Sequence, residues 1–281
     1  MSTLECWAIG LSLVFYLASF IVSCISGRKG LAVLMLFSGL LSQLVSASIR
    51  WYDIGHPPIF GSYEAALAAS WFLALFVAFS CRSVHGHFRL MVITGIPLSA
   101  LILCYGFLFN TERIPLTISE KSLWVDFHAL FSWLAFAPFV LAFCLSVCFL
   151  FKFRTGQEAE GKVYDTSVLN APSLGTIDEL AFRYINFGFI MHTVMFALGC
   201  YYSSILYGRW WQWDPAESTS LITWLAVGLY IHMRLFYNWK ERRAAWLFIV
   251  IFATVIFSYW GLIYMPSGST FHVFDIDLKA H

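Results

Sequence analysis

Four side chains that could take part in chemistry stand together in YGRWWQWDPAES, residues 207–218. They are three tryptophans and a carboxylate: Trp210, Trp211, Trp213 and Asp214. Three adjacent indoles can form a wide apolar shelf for a flat aromatic ligand, and a carboxylate beside them can orient that ligand or balance its charge. Two other interpretations stay open. Tryptophan is common at membrane interfaces, and an Asp followed by a proline is typical of the start of a helix.

The composition predicts that membrane-spanning helices position this stretch. Of the 281 residues, 60% are hydrophobic and 12% are charged, whereas about a quarter of the residues of a soluble domain are charged. Long apolar runs recur along the chain, which is typical of an all-α protein that crosses the lipid bilayer several times. The net charge of +1 argues against a polyanionic partner, and therefore against nucleic-acid binding.

The apolar runs predict eight transmembrane helices in a single membrane domain, residues 1–281. The expected spans are 5–26, 31–49, 63–81, 89–109, 125–151, 182–206, 219–237 and 244–265. The longest segment between two spans, 152–181, is polar and is predicted to be a loop.

The distribution of Lys and Arg predicts the orientation in the membrane. Of the 17 such residues, one side holds Arg50, Arg113, Lys121, Arg209 and Lys279. All the others fall on the opposite side, which the positive-inside rule makes cytoplasmic. We therefore expect both termini and the loop 207–218 to face outward, and 152–181 to be a cytoplasmic loop.

Two histidines on the predicted outer side could bind a metal together. Imidazole is a common axial ligand of haem iron, and His128 and His272 both lie where they could meet above the tryptophans. Each histidine alone can be an ordinary polar residue of the interface, and the pair, flanked by aromatic residues, makes a bis-histidine haem site an alternative that stays open. No catalytic residue is indicated, because the chain has no HExxH, no Gly-rich phosphate loop and no Ser-His-Asp context.

Two further histidines lie inside predicted spans, where an ionisable side chain is a functional candidate. His232 is near the inner end of the seventh span, and there it could receive haem made in the cytoplasm. His192 is in the inner half of the sixth span. For His192 we favour a hydrogen bond to the backbone or a hydroxyl of a neighbouring helix.

Two stretches carry a resemblance to a known family. Residues 207–234 read YGRWWQWDPAESTSLITWLAVGLYIHMR, and residues 50–65 read RWYDIGHPPIFGSYEA. They resemble WGxYWxWDPKETWxLITWLxxxxYLHxR and RWYxSGHxPxSNxYES of the CcsA, or ResC, family of cytochrome c assembly proteins. That family belongs to the group that shares a tryptophan-rich "WWD" domain. The match runs in order along most of the chain.

The resemblance implies a haem-handling membrane protein, with haem b as a transient ligand. In the family the WWD loop is thought to hold haem at the outer surface, so this role passes to residues 210–214. His128 and His272 match the external histidines that bind the iron. His232 matches an intramembrane histidine that is suggested to hold haem in transit.

The resemblance also implies partners. Family members act with a CcsB, or ResB, membrane protein as a cytochrome c synthase, which attaches reduced haem to the CxxCH motif of apocytochrome c. This chain would be the subunit that transports and presents haem; whether it also takes part in catalysis stays open. The implied location is the bacterial inner membrane with the WWD loop facing the periplasm, or the thylakoid membrane for a plastid protein.

Other functions and two departures from the family pattern stay open. The alternatives are a CcmC-like haem-export adaptor, an electron-transfer cytochrome in which His192 and His232 bind a permanent b-type haem, and a non-haem transporter or scaffold. Tyr207 stands where the first Trp of the motif is usual. Ala216 replaces a Lys, which removes a positive charge close to a haem propionate; Arg209 could supply that charge.

Overall fold

The long elements of the described chain are all helices, as a computed structural model of the protein shows. The structure describes residues 1–25, 28–82, 87–109, 111–112, 121–154 and 172–264. Within these ranges lie α1 (Thr3–Ile25), α2 (Lys29–Ile54), α3 (Ser62–Phe79), α4 (His87–Gly106), α5 (Leu123–Arg154), α6 (Leu174–Tyr207), α7 (Pro215–Phe236) and α8 (Glu241–Trp260). The all-α prediction is confirmed.

Each of these helices is long and apolar enough to cross a membrane. They contain 18 to 34 residues, which at about 1.5 Å per residue is close to or above the ~30 Å of a hydrocarbon core. Large apolar side chains point away from the protein interior, among them Leu4 (70% exposed), Phe151 (73%) and Val250 (67%). The chain is therefore an integral membrane protein with eight spans in its described part.

The start of α6 differs from the prediction. The helix begins at Leu174 instead of residue 182, because the Ser173 hydroxyl accepts a hydrogen bond from the Thr176 N–H at 3.2 Å and caps it. α5 likewise continues to Arg154. The segment 152–181, predicted to be a loop, is thus helical at both ends, and residues 155–171 lie outside the described residues.

The first compact unit contains α1 to α4. One buried carboxamide joins three of its helices: Gln43 of α2 accepts a hydrogen bond from the Tyr16 hydroxyl of α1 at 2.7 Å and donates one to the Leu67 carbonyl of α3 at 3.0 Å. Because both polar ends of Gln43 have partners, the residue is well accommodated in an apolar interior.

A buried ion cluster lies where α1 and α3 begin. The Arg50 Nε donates to Glu64 at 2.7 Å, and its Nη1 lies 3.4 Å from Glu5. The Tyr63 hydroxyl donates to the same Glu5 oxygen at 3.1 Å, and the guanidinium lies 4.8 Å from the Tyr63 ring centre. Arg50, Glu5 and Glu64 are at most 5% exposed, so they hold the ends of α1, α2 and α3 together.

The second compact unit contains α5 to α8. α5 and α6 approach closely at Gly188, where a Cβ atom would lie 2.6 Å from the Phe139 ring. α8 is fastened to α5 by the Tyr259 hydroxyl, which donates to the Ser132 carbonyl at 2.9 Å. This unit contains the WWQWD stretch, so it positions the candidate site.

The predicted orientation can be tested with reporter fusions. We expect alkaline phosphatase to be active when fused after Gly208, and green fluorescent protein to fluoresce when fused after Trp239, because most Lys and Arg residues lie on the side of Trp239. Phosphatase is active only after export, and the fluorescent protein folds well only in the cytoplasm. The reverse pattern would contradict the charge-based orientation.

Candidate functional site

The WWQWD loop, residues 210–214, joins α6 to α7 and ends in a helix cap. The Asp214 carboxylate accepts a hydrogen bond from the Ala216 N–H at 2.8 Å, and Pro215 occupies the first helical position. Asp214 is 3% exposed. The capping interpretation is therefore confirmed, and this carboxylate is buried.

Glu217 fixes the middle of the same loop. Its Oε2 accepts a hydrogen bond from the Gln212 backbone N–H at 2.7 Å, and its Oε1 accepts one from the Ser203 hydroxyl of α6 at 3.4 Å. A carboxylate in the first turn of α7 also interacts favourably with the helix dipole. Glu217 thus ties the loop to both of the helices that it connects.

The indoles form two aromatic groups instead of one flat shelf. In the first, Trp210 lies 6.0 Å from the Tyr201 ring, which in turn lies 4.7 Å from Trp124 at the start of α5. Trp210 is 62% exposed, so much of its side chain is accessible to a ligand.

In the second group, the Trp211 ring contacts both Phe196 of α6 and Trp213, with ring centres 5.6 Å away in each case. Trp213 is 74% exposed and has a φ of 60°, in the left-handed region that costs a non-glycine residue about 1–2 kcal/mol. Backbone conformations of this kind are concentrated at binding sites.

His128, in the second turn of α5, is anchored to α6. Its Nδ1 lies 2.9 Å from the Met195 carbonyl oxygen. The imidazole fits there because residue 199 is glycine: a Cβ atom at that position would lie 3.0 Å from Cε1 and 3.1 Å from Nδ1 of His128. Because Met195 and Phe196 are neighbours in α6, His128 and Trp211 are anchored at the same level of that helix.

The structure separates His232 from this group. His232 is exposed near the end of α7, about 26 Å along the helix from Pro215 at 1.5 Å per residue. Its ring lies 4.7 Å from Phe236 and 5.7 Å from Tyr237. The predicted partner of His128, His272, lies outside the described residues, so the axial pair stays a prediction.

His192 forms the hydrogen bond to a neighbouring helix that the sequence favours. It is 1% exposed, and its Nε2 lies 3.2 Å from the Ser220 carbonyl oxygen of α7. Ser220 and His232 are twelve residues apart in α7, about 18 Å along the axis. His192 and His232 are therefore too far apart to be the two axial ligands of one iron, which disfavours the b-type cytochrome.

Comparison with known proteins identifies the family. The sequence profile described as "Cytochrome C assembly protein" matches residues 59–269, most of the chain. The chain belongs to the cytochrome c assembly protein family. The resemblance predicted from the sequence motifs is thereby confirmed.

Relatives match along most of their length. The chain is 26% identical to the cytochrome c biogenesis protein CcsA of Porphyra purpurea, over 92% of this chain and 91% of that protein. It is 24% identical to CcsA of Prochlorococcus marinus strain MIT 9313, over 85% and 83%, and 30% identical to CcsA of Synechococcus sp. strain RCC307, over 70% of each. These relatives are consistent with a thylakoid or bacterial membrane.

The ITWL motif that carries the resemblance builds the scaffold of the site. The Thr223 hydroxyl donates to the Thr254 carbonyl of α8 at 3.1 Å, and the Trp224 indole N–H donates to the Thr193 hydroxyl of α6 at 2.9 Å. Adjacent residues of α7 therefore bind the helices on its two sides.

The arginine of the HxR motif has a partner that the sequence did not indicate. Arg234 donates two hydrogen bonds to Asp178 of α6, at 2.7 and 2.8 Å, and Asp178 also accepts one from the Glu241 N–H at 3.1 Å. Asp178 was missed because it fell in the predicted loop.

The packing of His128 against α6 was also missed. Gly199, a glycine inside a predicted helix, was a usable signal for this close contact.

Proposed function

We propose that this protein holds haem at the WWQWD loop and presents it for attachment to apocytochrome c. Family membership places the protein in cytochrome c biogenesis, which entails haem handling. Haem b is in this proposal a substrate that passes through. The observation that carries the proposal is the hydrogen bond that orients His128 beside the loop.

That hydrogen bond determines which nitrogen of His128 has the lone pair that would bind iron. A backbone carbonyl only accepts hydrogen bonds, so Nδ1 must carry the proton that it donates to Met195. In the neutral imidazole, Nε2 then has the lone pair. Metal-binding histidines in proteins commonly donate their second N–H to a carbonyl in this way, which fixes both the tautomer and the ring plane.

The exposed indoles supply the surface on which the macrocycle would lie. Trp210 and Trp213 are largely open, while Trp211 anchors the loop on Phe196. Asp214 and Glu217 are engaged with backbone N–H groups, so we assign both as positioning residues that hold the loop in place. This refines the expectation that Asp214 itself contacts haem.

The remaining assignments extend the proposal. His272 is the second axial ligand, and His232 receives haem at the opposite end of α7, where it is exposed beside two aromatic rings. A CcsB-type membrane protein is the proposed partner.

The thioether bonds form when each cysteine S–H of the CxxCH motif adds across a haem vinyl group. The histidine of that motif then replaces a protein ligand on the iron. Eight spans favour this function over a CcmC-like adaptor, for which six are expected.

The proposal is tested by co-expressing the full chain with its CcsB-type partner and measuring bound haem as the pyridine haemochrome. We expect His128→Ala to lower haem retention at least about tenfold, because an axial bond and its oriented ligand are both lost. The control is His56→Ala, since the His56 Nδ1 lies 2.9 Å from the carbonyl oxygen of its chain neighbour Pro57. Undiminished haem in a His128→Ala/His272→Ala double variant would overturn the ligand assignment.

A further inference from the structure

We propose that the beginning of α8 binds the phosphate head group of an anionic phospholipid. A shallow cleft of about 550 Å³ lies there, lined by Trp239, Arg242, Arg243, Trp246, Leu247 and Val250. The cleft belongs to the second unit and involves none of the residues assigned to haem, so this proposal stands independently of the proposed function.

The cleft contains two positive charges that have no carboxylate partner among the residues that the structure describes. Arg242 and Arg243 are exposed, and within the described residues neither is within 4.0 Å of an acidic oxygen. The nearby Asp178 is already bound by Arg234 and by the Glu241 N–H. The Arg242 guanidinium lies 5.6 Å from the centre of the Phe153 ring.

The position of these charges in the helix strengthens the argument for an anion. They lie in the first turn of α8, where the helix dipole is positive and cations are unfavourable. An anion between the two guanidinium groups would interact favourably with both arginines and with the helix end. Arginine is suited to this role, since its planar fork of N–H groups binds phosphate oxygens in pairs.

The rest of the cleft fits the apolar part of the same molecule. Trp246 is 54% exposed, and beyond it the cleft continues along Leu247 to Val250, which is 67% exposed. From the N-terminal end of α8, the cleft is therefore lined first by the charged arginines, then by the Trp246 indole, and then by aliphatic side chains. A phospholipid at the membrane surface has the same order of phosphate, interface and acyl chain, and indoles prefer that interface.

Two other occupants fit less well. A free phosphate ion would leave the aliphatic half of the cleft exposed. Haem needs an iron ligand, and no histidine lines the cleft within the described part of the chain. On the predicted orientation the cleft faces the cytoplasmic leaflet, where anionic lipids attract basic segments of membrane proteins.

The test measures lipid retention by native mass spectrometry. The full-length protein is reconstituted in nanodiscs of phosphatidylcholine with a minor fraction of phosphatidylglycerol, and then exchanged into detergent. We expect the wild type to retain phosphatidylglycerol preferentially, and Arg242→Gln/Arg243→Gln to retain about tenfold less, because paired charge-assisted hydrogen bonds are lost. The matched control is Arg183→Gln, which replaces an exposed arginine in the third turn of α6 and should retain as much as the wild type.

Four results would overturn the proposal. They are equal retention by the double variant, equal retention of phosphatidylcholine and phosphatidylglycerol by the wild type, release of the lipid by inorganic phosphate alone, and its displacement by haem. The last two would assign the cleft to a free anion or to the haem propionates. Both arginines are exposed, so the double variant should keep the wild-type melting temperature.

Discussion

Replacing Arg234 by glutamine is expected to lower the free energy of unfolding by about 3–5 kcal/mol. The substitution leaves the Asp178 carboxylate, whose side chain is 10% exposed, without the guanidinium that now lies 2.7 Å from it. A buried charge that has lost its partner is one of the few causes of so large an effect. Thermal unfolding of the purified protein in detergent, followed by circular dichroism, measures the change.

Two further variants distinguish the cost of leaving a buried charge unpaired from the cost of losing an ion pair of any kind. Arg183→Gln breaks an exposed pair, in which Arg183 and Glu179 are 71% and 51% exposed, and should cost only about 0–1 kcal/mol. Adding Asp178→Asn to Arg234→Gln removes the unpaired charge and should restore part of the stability. Equal losses in Arg183→Gln and Arg234→Gln would contradict this account.

On the proposed ligation of iron by His128, replacing Gly199 by alanine is expected to lower haem retention about tenfold, the lower end of the range found when the outer partners of metal ligands are lost. The new Cβ atom would lie 3.0 Å from the His128 ring, so the imidazole must shift and its hydrogen bond to the Met195 carbonyl weakens. The chain should still fold, since alanine favours a helix over glycine by about 1 kcal/mol and offsets part of the crowding. Bound haem per protein and the melting temperature are the measurements.

The control for this variant is Gly228→Ala in α7. There the nearest atoms to a new Cβ belong to Phe189 at 3.8 Å, an ordinary contact distance. Gly228→Ala should therefore keep its haem and be equally or more stable. If Gly199→Ala also kept its haem, the hydrogen bond between His128 and α6 would have no part in binding iron.

Local signals in the sequence were sufficient at the start of α7, where both partners lie close together in the chain. Asp214 caps α7 as its position before Pro215 indicates, because the acceptor and the Ala216 N–H are two residues apart. The eight helices follow equally directly from runs of apolar residues that exceed the thickness of a bilayer.

Contacts between distant residues could not be derived in this way. The acceptor for His128 is a backbone carbonyl oxygen 67 residues away. Because every residue has a backbone carbonyl, the residue type at that position does not reveal the contact. Asp178 and Arg234 are 56 residues apart. Asp178 was also placed outside the sixth span because the charged residues around it argue against a buried helix. Only the fold shows that its charge is neutralised inside the protein.

The backbone of Trp213 bears on how this protein tolerates mutation. Its φ of 60° is one that glycine adopts freely, so glycine there would relieve about 1–2 kcal/mol of strain. A large indole, 74% exposed, instead occupies the position and adds little to the interior. On the proposed role of Trp213 in holding haem, stability and activity compete at residue 213: a screen for thermal resistance would favour its loss, and selection for function would restore it.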